Sequence, residues 1–392
     1  MRILISPLDW GLGHATRCIP VIRALHNAGH VVVGVASGSG LRLLQVEFPD
    51  VEFEELPSYT MRYSKSRFLL PFRIVAQLPM FFASILRERT LTRRLVLRHE
   101  IDRVISDGRY GVRTRRVPCV FITHQLSILP PGPEWLRTLL RRPILAVNRL
   151  ALKGFNEIWV PDFPGTVNLS GQLGHPHPVW TGVRYIFPLC RFRPDALPWN
   201  RPAGIKSLEL KIDVLALVSG PEPQRTVFEE MLTAALENMP GTRVLVRGLP
   251  GRPAGADNLL PLPVVRQNEL NVFDHLSGND LTQFLTAADH VACRSGYTSV
   301  MELAGLGKRN VLMIPTPGQP EQEYLTGHLE AMGFSATQTQ EGFDLEAGLR
   351  HAHDFPGFME LFRMDEAWNL EDWIREHPLF HVPKRLPGKF VL

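Results

Sequence analysis

The stretch Cys293-Arg294-Ser295-Gly296-Tyr297-Thr298-Ser299-Val300-Met301-Glu302 decides how this chain is read. The apolar run His290-Val291-Ala292 ahead of it predicts a short buried strand. The chain breaks at Ser295-Gly296 and restarts as a helix with Val300, Leu303 and Ala304 on one face. Gly296 lets the backbone approach a ligand closely, and the N–H groups of Tyr297 and Thr298 at the helix start form an anion site. Glu302 follows one turn after Thr298, placed to accept hydrogen bonds from ribose hydroxyls. A second strand, Asn310 to Ile314, leads through Pro315 and Thr316-Pro317-Gly318-Gln319-Pro320 to Glu321, Gln322 and Glu323 at the next helix start. These groups suit a diphosphate, a ribose and a polyhydroxylated head group in turn. The pattern therefore predicts a nucleotide-sugar ligand.

Working outward, 392 residues exceed one ordinary core and predict two domains. Strands are expected at Ile3–Ser6, Val31–Ala36, Val51–Leu56, Arg103–Ser106, Cys119–Thr123 and Glu157–Pro161, with helices between them, notably Ala15–Ala28 and Trp135–Lys153. Apolar strands alternating with amphipathic helices predict a doubly wound parallel sheet. Residues 188–211, with Pro188, Pro194, Pro198, Pro202, Asn200 and Gly204, read as an interdomain linker. Alternation resumes with Asp213–Ser219, a helix from Gln224, Arg243–Arg247 and Asn271–His275. Two Rossmann-like α/β domains with parallel sheets facing a central cleft are the expected architecture. The chain starts directly in a strand, leaving no room for a signal peptide, and no apolar run reaches the ~20 residues of a spanning helix. Cys18, Cys119, Cys190 and Cys293 are scattered without a CxxC pair, so a reduced, cytoplasmic protein without a zinc site is expected.

Residues 293–324 resemble the donor-binding segment of GT-B glycosyltransferases. The resemblance is strongest to the family 28-like N-acetylglucosaminyltransferases that complete the lipid-linked peptidoglycan precursor. Arg294-Ser295-Gly296, Glu302, Pro315 and Gln322-Glu323 match that family's pattern; it departs at Glu323, where the family has a second Gln and carboxylate replaces donor groups. The resemblance implies diphosphate on the backbone of Tyr297 and Thr298, ribose on Glu302, and sugar hydroxyls on Gln322 and Glu323. It places the base-binding loop near His275-Leu276-Ser277-Gly278, where the match is poor. It further implies an acceptor-side domain over 1–195, a nucleotide-sugar domain over 196–345, and C-terminal helices over 346–392 that cross back to the first domain. Phe358–Glu376, with Trp368 and Trp373, is the segment suited to that crossing.

In the first domain the loop Asp9-Trp10-Gly11-Leu12-Gly13-His14-Ala15-Thr16-Arg17 follows strand one. Gly11 and Gly13 predict a tight turn into a helix, with His14 near its N-terminus at the carboxyl edge of the sheet, where ligands of open α/β sheets bind. A third glycine is absent and no acid follows Ala36-Ser37-Gly38, so this is not the dinucleotide fingerprint. In the family resembled, Gly-x-Gly-His followed by Arg lies on the acceptor side. His14 is thereby the candidate general base, its pKa lowered by the helix start, and Gly11, Gly13 and Arg17 are candidate acceptor contacts. Simple capping of its helix is the alternative for His14. Ser106-Asp107-Gly108-Arg109-Tyr110-Gly111 and Thr123-His124-Gln125 end later strands at the same edge. Asp107 either orients His14 or is itself the base, and Arg109, His124 and Gln125 are acceptor-side candidates; capping and turn closure are the alternatives. In the second domain, Ser219-Gly220-Pro221-Glu222-Pro223-Gln224-Arg225 occupies the family's glycine-rich loop, with Gly220 near the phosphates and Arg225 equally readable as a surface residue.

Charge is unevenly distributed: 26 Lys and Arg face 14 Asp and Glu over residues 1–195, against 17 and 25 in the remainder. Such a surplus attracts an anionic partner. No nucleic-acid-binding motif is recognisable, so nucleic acid is not expected. An anionic membrane surface or a lipid-linked or phosphorylated acceptor fits better, which would place the protein peripherally on the inner face of a membrane. Phe68–Phe82 and the basic Trp135–Lys153 helix are the stretches suited to an interface, unless their apolar faces fill the domain's own core.

The expected activity is inverting transfer of a sugar from a UDP-linked donor, with UDP-N-acetylhexosamine the candidate, to an unidentified acceptor. His14 with Asp107 supplies the base and the helix start at Tyr297 takes the diphosphate charge. No DxD-type pair is present, so neither metal nor cofactor is expected. Rivals on the same fold are a UDP-sugar hydrolase, whose opening Gly13-His14-x-x-Arg17-Cys18 resembles, a UDP-sugar 2-epimerase, and a non-catalytic nucleotide-sugar-binding scaffold.

Overall fold

The structure, a computed structural model, describes residues 1–9, 11–56, 70–130, 132, 134–177, 180–192, 210–249, 264–365 and 368–381. In chain order its elements are β1 (Arg2–Pro7), α1 (Leu12–Asn27), β2 (Val31–Ala36), α2 (Gly38–Glu47), β3 (Glu52–Glu55), α3 (Leu70–Arg98), β4 (Arg103–Asp107), β5 (Cys119–Ile122), α4 (Glu134–Leu152), β6 (Glu157–Val160) and β7 (Val183–Tyr185). The second half contains β8 (Ile212–Leu217), α5 (Gln224–Glu237), β9 (Arg243–Val246), β10 (Leu270–Phe273), α6 (Gly278–Ala287), β11 (Ala288–Cys293), α7 (Tyr297–Gly305), β12 (Val311–Met313), α8 (Pro320–Ala331), β13 (Ala336–Thr337), α9 (Leu345–Ala352), α10 (Met359–Asp365) and α11 (Leu370–Glu376).

The strands form a seven-stranded sheet, β3-β2-β1-β4-β5-β6-β7, and a six-stranded sheet, β10-β9-β8-β11-β12-β13. All pairings are parallel. Central strands of such sheets are covered on both faces, which is why β1, β2 and β5 read as nearly unbroken apolar runs. Gly34 in β2 is a packing requirement: a Cβ there would lie 2.2 Å from the Phe53 ring of β3. The sequence alternation does not mark β7 and β13, short edge strands without a long apolar run.

Both sheets have a switch point where strand order reverses, between β1 and β4 and between β8 and β11. The loops leaving these four strands carry Gly11 to His14, Asp107 to Gly111, Ser219 to Pro223, and Arg294 to Gly296. That is the crevice in which open α/β sheets bind ligands.

The C-terminal helices tie the halves together. α10 packs on α7 and α11 on α1. Trp373 of α11 meets the fully buried Trp159 of β6 edge-on at 4.9 Å. Asn27 donates to Glu371 at 2.9 Å, and Asn369 caps α11 by accepting from Glu371 and Asp372 N–H groups. Most of the expected linker, 193–209, and Phe68 and Leu69 of the apolar stretch lie outside the described residues. Among the described residues no helix is long and apolar enough to cross a membrane.

Ile374 is fully buried under α11. Ile374→Ala should cost about 2–5 kcal/mol of stability through lost burial and the cavity left behind. Urea unfolding measures this; a loss below about 0.5 kcal/mol, the usual size for surface substitutions, would show that α11 does not anchor the fold.

Candidate active site

β1 and β4 are neighbours with Pro7 opposite Asp107, so the loop after β1 meets the end of β4. Gly11 takes φ 85°, a left-handed conformation that favours glycine, and turns the chain into α1. Asp107 is completely buried. Arg17 presents Nε to Oδ2 at 2.6 Å and also donates Nη2–H to Oδ1, a two-pronged grip. His14 Nδ1 lies 3.0 Å from Oδ1, and the Cys18 thiol donates to Oδ2 at 3.6 Å. Burial opposes ionisation of Asp107, but Arg17 and His14 outweigh it and hold the carboxyl at about 2. His14 is pushed below its usual value, by burial first and by Arg17 second, while Asp107 pulls the other way. The imidazole is therefore neutral at neutral pH. Arg17 Nη2 also lies 2.9 Å from His14 Nδ1. In the tautomer that donates Nδ1–H to Asp107, the Nε2 lone pair is left to accept a proton.

The same guanidinium reaches the second domain through one more residue. Arg17 Nη1 lies 3.1 Å from His124 Nδ1, and His124 Nε2 lies 2.7 Å from Glu321 Oε1 at the start of α8. The His124 ring stacks on the Tyr297 ring at 4.0 Å with 3° between planes, and the Tyr297 hydroxyl donates to Pro161 O at 2.8 Å. Thr298 Oγ1 donates to Gly13 O at 3.2 Å, and a Cβ on Gly13 would lie 2.8 Å from that oxygen. The N-termini of α1 and α7 thus meet across the crevice. Neither Gly11 nor Gly296 caps its helix with a side chain, so the first-turn amides at both starts remain available.

The rest of the Cys293–Tyr324 segment divides between bracing and exposure. Arg294 is buried and donates to the carbonyls of Ile314, Pro315 and Gln224 while lying 3.8 Å over the Phe228 ring; burial lowers its pKa to about 10. Ser295 donates to Gln322 O at 3.0 Å, and Gln322 Oε1 accepts from Thr316 N at 2.8 Å. Glu323 Oε1 accepts from Gly318 N at 2.8 Å, its other oxygen facing Arg137 at 3.4 Å. Glu302 is buried beside Arg191, Nε to Oε1 2.7 Å, but out of line for a hydrogen bond, so both atoms retain unused capacity. Burial raises the Glu302 pKa and Arg191 opposes that rise. His275 is lowered by burial and, secondarily, by the charge of Arg191.

The structure brings together His14, Asp107, Arg17, His124, Gly13, Tyr297 and Thr298. Gln125 adjoins them: its backbone N–H donates to Thr123 Oγ1 at 3.0 Å. Arg109 is not an acceptor contact. It is fully buried, paired with Glu88 at 2.9 Å and donating to Pro7 O and Ser37, because the Ser106–Gly111 loop folds inward over α3. Arg294 and Ser295 donate to backbone carbonyls and Gln322 Oε1 accepts from Thr316 N–H, while Arg294 Nε is buried without a partner among the described residues. Gly220 takes φ 113°, and Arg225 is no surface residue but a buried partner of Glu222 and Glu229. Arg191 was not singled out by the sequence, and Glu321 was named there only with Gln322 and Glu323 at the helix start. Glu321 sat in the quoted segment with acidic neighbours, but nothing local shows that it faces His124, 197 positions earlier.

No family model matches the chain. A protein of Methanosarcina acetivorans described as an uncharacterized glycosyltransferase is 25% identical over 350 residues, covering 85% of this chain and 84% of its own. Among solved structures, spinosyn rhamnosyltransferase SpnG matches with TM-score 0.63 at 17% identity, over 96% of this chain and 99% of that one. MurG of Acinetobacter baumannii matches with TM-score 0.53 at 14% identity, over 95% and 98%. The two-sheet architecture is that of the GT-B fold.

The titrations of this cluster have a direction. Asp107 contributes stability in full above its unfolded value of 3.8, and loses it as pH falls from there toward about 2. His14, lowered from 6.5, keeps its proton-accepting form below that pH. The acid limb of a kcat/KM profile should therefore lie below pH 6.5. A limb above 6.5 would contradict the neutral imidazole.

Proposed function

We propose that the chain is a glycosyltransferase moving a sugar from a nucleotide-sugar to an acceptor hydroxyl presented at the first domain's switch point. The observation that carries this reading is the meeting of two uncapped helix starts, Gly11–His14 and Gly296–Thr298, beside a neutral histidine. Two positive helix ends facing one spot favour a ligand with concentrated negative charge, as a diphosphate has. The SpnG match has also been solved with thymidine diphosphate, with TM-score 0.55 over 96% of this chain. A pyrimidine nucleoside diphosphate is accordingly the proposed carrier, UDP being the candidate and an N-acetylhexosamine the candidate sugar.

In the proposed reaction His14 Nε2 removes the acceptor hydroxyl proton as that oxygen bonds to the anomeric carbon. The bond from that carbon to the diphosphate oxygen breaks, and the electron pair leaves with the nucleoside diphosphate. Attack from the side opposite the leaving group inverts the centre. The α7 amides receive the developing charge without reorganising, which is how fixed dipoles lower a barrier. Asp107 acts through His14: wholly buried and gripped by Arg17, it holds the ring rather than taking the proton itself. Glu302 and Arg191, with unused hydrogen-bonding capacity in a buried pair, are the proposed ribose partners.

Two substitutions test the reading. His14→Ala should lower turnover of a UDP-sugar about 10²–10⁴-fold, as for a lost general base, while UDP affinity stays within a factor of two or so. Glu302→Ala should weaken UDP binding by about 1–3 kcal/mol, the range for a lost charged acceptor. Calorimetric titration and nucleoside diphosphate release give both readouts; unchanged turnover in the first variant, or unchanged affinity in a folded second, removes that residue from the site. Incubation with the UDP-sugar alone separates the rivals, since free sugar marks a hydrolase and a new sugar isomer an epimerase.

A further inference from the structure

The first domain's excess positive charge gathers away from the crevice. A groove of about 1090 Å³ is lined by Arg89 and Arg93 of α3, Arg113, Arg115 and Arg116 of the β4–β5 connection, and Lys153 after α4, with no acidic side chain in its wall among the described residues. Its floor includes Pro118 and Asn156, which immediately precede β5 and β6. Asp107 ends β4, and Thr123 and Pro161 follow β5 and β6, at the other ends of these strands. The groove therefore opens at the amino edge of the sheet, a strand length of roughly 13 Å or more from the switch point. It is separate from the site described above.

None of the six cations makes an ion pair or side-chain hydrogen bond among the described residues. Arg113 is held against the wall: its Nε is buried without an acceptor, and its guanidinium lies 5.4 Å over the Phe155 ring. Gly154 makes that placement possible, since a Cβ there would lie 1.0 Å from Arg113 Nη1. Burial, followed by repulsion from Arg89, lowers the Arg113 pKa. Six like charges with one partly desolvated donor among them oppose folding rather than assist it. Phosphoryl oxygens would satisfy the orphaned donor and cancel the repulsion, and guanidinium forks match them in geometry. The groove is far larger than a single phosphate.

We infer that this groove is a second ligand site, taking a molecule or headgroup that carries at least two phosphoryl charges. Inorganic pyrophosphate, titrated calorimetrically into the full chain with saturating UDP present, is the free-phosphate probe. Co-sedimentation with phosphatidylcholine vesicles containing cardiolipin, whose headgroup carries two phosphodiesters, against phosphatidylcholine vesicles alone, is the lipid probe. Wild type should bind one or both probes, more weakly as salt rises because surface charges are screened within about 10 Å at 0.1 M. Arg89→Gln with Arg113→Gln should weaken that binding at least about tenfold, the loss of one or two charge-assisted contacts, and leave UDP affinity unchanged. Gly154→Ala keeps every charge but displaces the Arg113 guanidinium, and should weaken binding too in a protein of unchanged melting temperature. Pyrophosphate binding identifies a soluble phosphorylated ligand and vesicle binding a lipid headgroup. If wild type binds neither, or the double variant binds as well as wild type, the inference is overturned. Because UDP affinity is read separately, its absence would count against the proposed donor site and not against the groove.

Discussion

A carboxylate with no exposed surface has to be neutralised where it stands, and Asp107 is that carboxylate. A buried ion without its partner is among the costliest defects a fold can hold, several kcal/mol in typical cases. Arg17 supplies the partner from the first turns of α1, and the price of that pairing is that α1 can enter in only one way. His14, one turn earlier on the same helix, is then necessarily beside Asp107, and Cys18 beside its other oxygen. Arg17 has a nitrogen left over for His124, which in turn binds Glu321 of the second domain. One neutralised acid thus sets the orientation of the candidate base and one of the contacts that hold the two sheets face to face.

The contact between domains is chemically selective. Thr298 on Gly13 and Tyr297 on His124 bring two helix N-termini together, an arrangement that is mildly repulsive by itself. It is tolerated because Glu321 brings negative charge from α8, and because α11 holds the first domain against the C-terminal segment through Trp159, Trp373 and Ile374. An anion between the two helix starts would convert the repulsion into attraction. On the proposed reading, the diphosphate would thus strengthen the contact between the two helix starts through the same dipoles.

The fold was legible because its strands are buried on both faces and its loops carry their own punctuation. Gly11, Gly296 and Pro320 each mark a helix start that the structure contains. His14 and Asp107 were legible as residues at one sheet edge, since strands of a parallel sheet all end there. What stayed hidden was which polar atoms would be free. Arg109 and Arg294 look like ligand contacts in a sequence, yet each meets buried backbone carbonyls that need donors. Arg191 was invisible because its pairing with Glu302 joins a segment outside either Rossmann pattern to a helix more than a hundred positions later.

Charge misleads in the same way when only its sum is read. The basic surplus of the first half suggested an anionic membrane surface or a lipid-linked or phosphorylated acceptor, and the structure shows where its charges sit. Arg17 and Arg109 are consumed inside the domain by Asp107 and Glu88, and Arg137 faces Glu323. The groove's cations, without ion-pair or side-chain hydrogen-bond partners among the described residues, lie at the amino edge of the sheet, a strand length away. Fields from exposed charges fade over about 8 Å at physiological ionic strength. Those cations consequently act on whatever enters the groove, while the crevice sees chiefly the two helix starts, Arg17 and the acids that hold it.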